Sequence, residues 1–199
     1  MELRLASPEE TALAYRRDME AAFPPAELKP LKNIQAMCAA GRYRTWCLFD
    51  GGEIVGECFL WLGHPGWALL DYLCVAADRR NTGAGGRMLS LLRQAEPEGT
   101  VILGESEDPA HAPDPALAER RLGFYARNGL RTAGYDTEIF GVPYKTLYLA
   151  GGIIEDEVLM EEHRFIYRST FPENKYRQYV QIPRDPGAAP GQKVPWNED

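Results

Sequence analysis

The stretch Leu70-Asp71-Tyr72-Leu73-Cys74-Val75-Ala76-Ala77-Asp78-Arg79-Arg80-Asn81-Thr82-Gly83-Ala84-Gly85-Gly86-Arg87 decides the fold. It opens at the end of a run, Trp67–Val75, that is apolar enough for a strand buried on both faces, with Asp71 its one charge. A polar loop follows, and then four small residues, Gly83, Ala84, Gly85 and Gly86. Beyond them the period changes, because Met88, Leu89, Leu91, Leu92 and Ala95 share one helical stripe. Small residues let backbone approach a ligand closely, and the first amides of a helix have no partner inside it. Aided by the helix dipole, such amides form an anion site suited to a phosphate or pyrophosphate. Arg80 and Arg87 add positive charge. The same residues also suit a glycine-rich turn that merely reverses the chain.

The kind of phosphate can be narrowed. No GxxxxGK[ST] string occurs, so a nucleotide-binding P-loop is excluded. The dinucleotide fingerprint GxGxxG fails at its third glycine, where Met88 stands. Glu105 does sit where a ribose-binding acid would fall. However, the glycines follow a long polar loop rather than a tight turn, and no repeated strand–helix–strand pattern surrounds them.

Outward from this segment, residues 2–6 alternate as a first strand, and Ser7-Pro8-Glu9-Glu10 carries a helix start signal. Leu13, Ala14, Arg17, Met19, Ala21 and Ala22 continue a helix that Pro24-Pro25 must end, and residues 31–40 form a second one stopped by Gly41. Residues 43–49 and 53–62 read as a hairpin about Asp50-Gly51-Gly52. A short strand at 100–103, a helix at 117–128 ended by Gly129, and strands at 131–139 and 143–149 follow. Residues 153–171 read as an extra helix with Ile154, Val158, Phe165 and Ile166 as its apolar face. This makes 1–150 one mixed α/β (α+β) domain and 151–183 a helical extension, packed on the domain or pairing two copies as a homodimer. Residues 184–199, rich in Pro and Gly, read as a loose tail.

Composition limits the partners. The 199 residues are 45% hydrophobic and 26% charged, ordinary for a globular fold and inconsistent with disorder throughout. A net charge of −7 argues against nucleic acid and anionic membrane as partners. No apolar run approaches the roughly 20 residues of a membrane span, and MELRLASPEE lacks a signal-peptide pattern, so a cytoplasmic protein is expected. Cys38, Cys47, Cys58 and Cys74 form no CxxC pair and His64, His111 and His163 are isolated; free thiols and no metal site are expected.

Two motifs resemble a known family. Arg80-Asn81-Thr82-Gly83-Ala84-Gly85 matches the R/Q-x-x-G-x-G/A acyl-CoA pyrophosphate loop of the GCN5-related N-acetyltransferases (GNAT). Phe124-Tyr125-Ala126-Arg127-Asn128-Gly129-Leu130 is similar to that family's FYxxxGF helix end. The likeness covers about residues 1–150. It implies a central twisted, mostly antiparallel sheet flanked by helices, and acetyl-CoA as co-substrate. Leu73, Cys74 and Val75 would offer backbone to the pantetheine arm; Arg80, Asn81, Thr82, Gly83, Ala84, Gly85 and Gly86 would hold the pyrophosphate; Asn128 would add a cofactor contact. Ala118 stands where the family often carries an Asn, so one side-chain contact is missing.

Acetyl transfer to an amine needs a deprotonated nucleophile, a polarised carbonyl and a proton for the leaving thiolate. The resemblance gives the last task to Tyr125; packing beside Phe124 is the competing reading. The base candidates are Glu105, at the end of a strand, and Asp71, a carboxylate in an apolar strand whose other reading is a structural pair with a cation. Glu27 and Tyr144 lie in the segments that build the family's acceptor side, which points to a small-molecule or peptide amine. A CoA-binding sensor without turnover, or an interaction module built on 151–171, are the rival readings.

Overall fold

Turn chemistry and alternation set the N-terminal part of the sheet. In the computed structural model, which describes residues 1–25, 27–189 and 191, β1 (Glu2–Leu5) pairs antiparallel with β2 (Tyr43–Asp50), Leu3 opposite Leu48. Gly51 and Gly52 take φ of 58° and 89°, which a side chain resists, and return the chain as β3 (Glu53–Leu62). The chain divides into two units, the first comprising Met1–Leu62 and Leu70–Glu98, the second Gly63–Leu69 and the described part of Gly99–Val194.

The strand order here is β1-β2-β3-β4, where β4 is Trp67–Val75 and its residues from Leu70 on belong to the first unit. Helix α1 (Pro8–Ala14) starts on the capping box read above: the Glu10 amide donates to Ser7 Oγ at 3.2 Å, and the Ser7 amide donates to Glu10 Oε2 at 2.8 Å. The helix then widens into a π-helical turn, Tyr15–Met19. That turn displaces the expected apolar stripe: Tyr15 and Met19 are buried, whereas Leu13 is 52% exposed. Arg17 from the turn donates to the Ile54 carbonyl at 2.7 Å, fastening it to β3. Helix α2 (Leu31–Ala39) packs on β2, and α3 (Ala84–Ala95) packs on β1 and β3 through Met88, Leu89 and Leu92.

In the second unit the order is β5-β7-β6-β8, with β5 Val101–Glu107, β6 Arg131–Ile139, β7 Val142–Leu149 and β8 Val180–Gln181. The β5–β7, β6–β7 and β6–β8 pairs are antiparallel. Strand β5 runs past the expected end at residue 103 because β7 continues its ladder, Glu105 opposite Thr146 and Glu107 opposite Tyr144. Glu105 therefore lies inside a strand. Helix α4 (Pro115–Arg127) begins where the Asp114 carboxylate accepts the Leu117 amide at 3.0 Å.

Helix α5 (Asp156–Arg168) is present, but its packed face differs from the expected one. Leu159, His163, Ile166 and Tyr167 are buried, while Val158 and Phe165 are 45% and 37% exposed. The stripe includes two polar-tipped rings that a count of apolar residues passes over. Helix α6 (Glu173–Tyr179) and β8 lie in the extension and were not anticipated; Ile139 pairs with Val180. In the expected tail, the Arg184 amide donates to the Asp136 carbonyl at 2.7 Å, while 190 and 192–199 lie outside the described residues. No helix among the described residues is long and apolar enough to cross a membrane.

The capping box is separable from the rest of the fold. Ser7→Ala should lower the unfolding free energy by about 1 kcal/mol in urea titration, with the slope unchanged. An unaltered midpoint would show that the box carries no stability.

Candidate active site

At its C-terminal end β4 alternates, with Tyr72 and Cys74 buried and Asp71, Leu73 and Val75 half-buried. The Ala76 amide donates to the Val55 carbonyl at 3.1 Å, so β3 holds the strand to its last residue. A single 3-10 turn, Ala77–Arg79, then starts the loop. Arg80 Nε donates back to the Val75 carbonyl at 3.2 Å and Thr82 Oγ1 to the Arg79 carbonyl at 2.6 Å, which tie the loop to itself. Asn81 and Gly83 both have positive φ, 63° and 88°. The left-handed Gly83 sits at the N-cap of α3 and has no side chain with which to cap it.

The first backbone bond of that helix is from the Arg87 amide to the Gly83 carbonyl, 3.0 Å. The amides of Ala84, Gly85 and Gly86 precede it and have no acceptor in the helix. Three amides beside two exposed arginines, Arg80 and Arg87, are donors of the kind an anionic group such as a pyrophosphate would need. Thus Leu73, Cys74, Val75, Arg80, Asn81, Thr82, Gly83, Ala84, Gly85 and Gly86 form one continuous strand–turn–helix in the first unit.

Asp71 is already engaged. Its carboxylate accepts Lys29 Nζ at 2.7 and 2.8 Å and the Tyr43 hydroxyl. The Lys29 side chain is 4% exposed and that of Asp71 9%, so this is a buried ion pair. Burial pushes the Tyr43 hydroxyl well up, with Asp71 adding to it, so Tyr43 stays a donor. The Lys29 ammonium also lies 4.5 Å from the Trp61 ring centroid, and its amide donates to the Tyr72 hydroxyl at 2.8 Å. That hydroxyl donates in turn to the Glu27 carbonyl at 2.8 Å. A cavity of about 510 Å³ adjoins this loop, lined by Tyr15, Arg16, Glu20, Phe23, Leu28 and Leu31 among others. The lining carboxylate is Glu20 rather than Glu27.

Sequence reasoning also passed over Glu57, a single charge inside the apolar run of β3, where that isolation was the available signal. It is fully buried, and neither oxygen finds a proper hydrogen-bond partner. Burial pushes its carboxyl up to about 8, reinforced by Asp18 and opposed by the weak Cys74 thiol donor and by Arg17. Cys47, Cys58 and Cys74 are buried free thiols, and Cys38 is half-buried.

In the second unit, Glu105 Oε1 lies 2.9 Å from His163 Nε2, and its Oε2 accepts the Tyr167 hydroxyl at 2.8 Å. Tyr125, half-buried on α4, stacks edge-on against Phe124 with centroids 5.3 Å apart. Burial pushes its hydroxyl up to about 12, against the pull of Arg121. Asn128 Nδ2 donates to the Phe124 carbonyl at 2.8 Å, so its side chain closes the end of α4. Tyr144 is half-buried in β7, opposite Glu107. Among the described residues, no group of three His, Cys, Asp or Glu side chains is placed to hold a metal ion.

The profile of the acetyltransferase (GNAT) family matches residues 10–124. No curated protein matches the chain at a significant level. Among solved structures, an acetyltransferase described as of the GNAT family from Bacteroides thetaiotaomicron is similar at TM-score 0.66 and 19% identity, over 82% of this chain and 95% of that one. An aminoglycoside 6'-N-acetyltransferase complexed with coenzyme A gives 0.60 and 15%, over 78% and 100%. The ribosomal-protein-S18-alanine N-acetyltransferase of Escherichia coli gives 0.54 and 16%, over 78% and 96%.

The buried Glu57 makes stability depend on pH. Its carboxyl is raised in the folded state from 4.5 to about 8, so the folded protein binds the extra proton. Stability is then greatest below the unfolded value and falls as pH rises from 4.5 to about 8, by at most about 1.4 kcal/mol per pH unit from this group. Glu57→Gln should flatten that fall and stabilise the protein at pH 9. A variant whose stability tracks the wild type across the range would contradict this.

Proposed function

The chain belongs to the acetyltransferase (GNAT) family, and from that premise we propose that it transfers an acetyl group directly from acetyl-CoA to a primary amine of a small molecule or peptide. The observation that carries this reading is the strand–turn–helix of 73–86, with its uncapped amides and left-handed Gly83. When bound, acetyl-CoA supplies the acetyl group as an activated thioester. The amides of Ala84, Gly85 and Gly86, with Arg80 and Arg87, bind its pyrophosphate; the backbone of Leu73, Cys74 and Val75 orients the pantetheine arm.

An alkylamine with a pKa near that of lysine is almost wholly protonated at neutral pH and must lose a proton before attack. We assign that proton to Glu105, directly or through water; its side chain keeps 14% exposure beside the contacts from His163 and Tyr167. Asp71 is engaged by Lys29 and Tyr43, and its task in this reading is to hold Lys29 and the 27–29 segment. Tyr125, its hydroxyl pushed up to about 12, stays protonated and donates to the sulfur as the C–S bond breaks. The amine thus gains the acetyl group and loses a proton, and the thiolate leaves as a thiol. Glu20, in the cavity wall, draws the cationic acceptor, while Glu27 acts through the backbone carbonyl that holds Tyr72; Tyr144 is the second unit's candidate for contacting the acceptor. In this reading Asn128 acts through the helix end it caps.

Two outcomes follow. Acetyl-CoA should raise the melting temperature of the wild type, and Gly85→Val, which places a branched side chain among the amides, should abolish that shift. A folded Gly85→Val protein with unchanged affinity would sink the placement. Tyr125→Phe should lower kcat tenfold or more while leaving acetyl-CoA binding within about twofold, as expected for lost acid catalysis. Full turnover in that variant would return Tyr125 to packing.

A further inference from the structure

Glu105 is held by a helix that lies outside the family match. That match ends at residue 124, and α5 begins at Asp156. From α5, His163 Nε2 meets one carboxylate oxygen at 2.9 Å and the Tyr167 hydroxyl meets the other at 2.8 Å. The His163 ring is fully buried, whereas the Glu105 side chain keeps 14% exposure. On its far side His163 Nδ1 lies 3.3 Å from the Tyr135 hydroxyl of β6. An ionised carboxylate only accepts, so Nε2 must carry a proton; in the neutral ring Nδ1 then accepts from Tyr135. Tyr135 thus fixes the ring, the ring fixes one oxygen of Glu105, and Tyr167 fixes the other.

The helix itself is seated with little tolerance. The Gly134 amide of β6 donates to Asp156 Oδ1 at 2.9 Å, and a Cβ at 134 would overlap the other oxygen of that carboxylate. A Cβ at Gly63 would come within 2.9 Å of Ile166 Cγ1. Arg164 Nε donates to the Ile182 carbonyl at 2.7 Å. This close docking places His163 and Tyr167 against the two carboxylate oxygens of Glu105.

We infer that the C-terminal helix is part of the transfer machinery: His163 and Tyr167 are positioning residues that hold the Glu105 carboxylate oriented as the acceptor of the amine proton. The inference rests on the reading of Glu105 as the base. The titratable or polar groups facing Glu105 are His163 and Tyr167 of α5, Tyr135 of β6 and Thr146 opposite it on β7; Asp156 and Arg164 of α5 act on Tyr135.

The test compares wild type with Glu105→Gln, Glu105→Ala, Tyr167→Phe, His163→Ala and His163→Gln, reading acetyl-CoA binding by calorimetry, transfer to a panel of primary alkylamines against pH, and the His163 ring by NMR in the apo protein. Tyr167→Phe and His163→Ala should each lower kcat about tenfold with acetyl-CoA binding unchanged. Both should move the rising limb of the pH–rate profile to higher pH, because a lost donor disfavours the ionised carboxylate. His163→Gln, which keeps an N–H donor, should recover part of the loss. If His163→Ala does not fold, Tyr167→Phe, which removes one oxygen, carries the same test. Wild-type kcat and profile in Tyr167→Phe, alongside an impaired Glu105→Gln, overturn the inference and leave the base assignment standing. Wild-type behaviour of Glu105→Gln overturns the base assignment, and the inference with it. The apo ring should show the Nε2-protonated tautomer, and Glu105→Ala should erase that preference; an Nδ1-protonated ring in the wild type overturns the arrangement without any acceptor in hand.

Discussion

Three backbone amides at the start of α3 have no acceptor inside the helix, and its N-cap, Gly83, has no side chain to supply one. A Ser or Asp at the N-cap would satisfy one amide and block the rest. Gly83 stands there instead, in a left-handed conformation that turns the chain from loop to helix without a side chain. The constraint extends backwards. The loop must present the helix start, so it is tied to β4 through Arg80 and to itself through Thr82. Strand β4 in turn is held to its end by β3, through the Val55 carbonyl. It extends forwards too, since Met88, Leu89 and Leu92 anchor α3 on β1 and β3.

Three carboxylates in or beside apolar strands meet three different solutions to the cost of burial. Asp71 is neutralised by a lysine that is itself nearly buried, an arrangement whose disruption typically costs about 3–5 kcal/mol because one charge is left behind. Glu57 pairs with no cation among the described residues, and burial pushes its carboxyl up to about 8. Glu105 is held by two neutral-capable donors, a ring N–H and a hydroxyl, and keeps a solvent-facing edge. Only the third combines a fixed geometry with a solvent-facing edge, and the proposed base assignment rests on that difference.

Much of the fold was legible because its signals are local. The capping box at Ser7 and Glu10, the Asp50-Gly51-Gly52 turn, and the change of period at Ala84 each depend on neighbours in sequence. The profile match agrees with the family that Arg80–Gly85 and Phe124–Leu130 resembled. What escaped depends on partners far along the chain. The end of β5 is set by β7, so Glu105 read as the residue after a strand when it lies within one. The π turn at 15–19 is stabilised by a carbonyl of β3, and the packed face of α5 runs through His163 and Tyr167, which look polar until their distant partner, Glu105, is known. Lys29, in a proline-rich segment, gave no sign of a role because its partner is Asp71, 42 residues away.

The central claim is that the amides at the head of α3 bind the cofactor's pyrophosphate. It is tested most directly by titrating coenzyme A into the labelled protein and following backbone amide resonances. The account predicts that Ala84, Gly85 and Gly86 shift most, together with Leu73, Cys74 and Val75, and that they saturate along one binding curve. Saturable binding that leaves those three helix-start amides unmoved would contradict it.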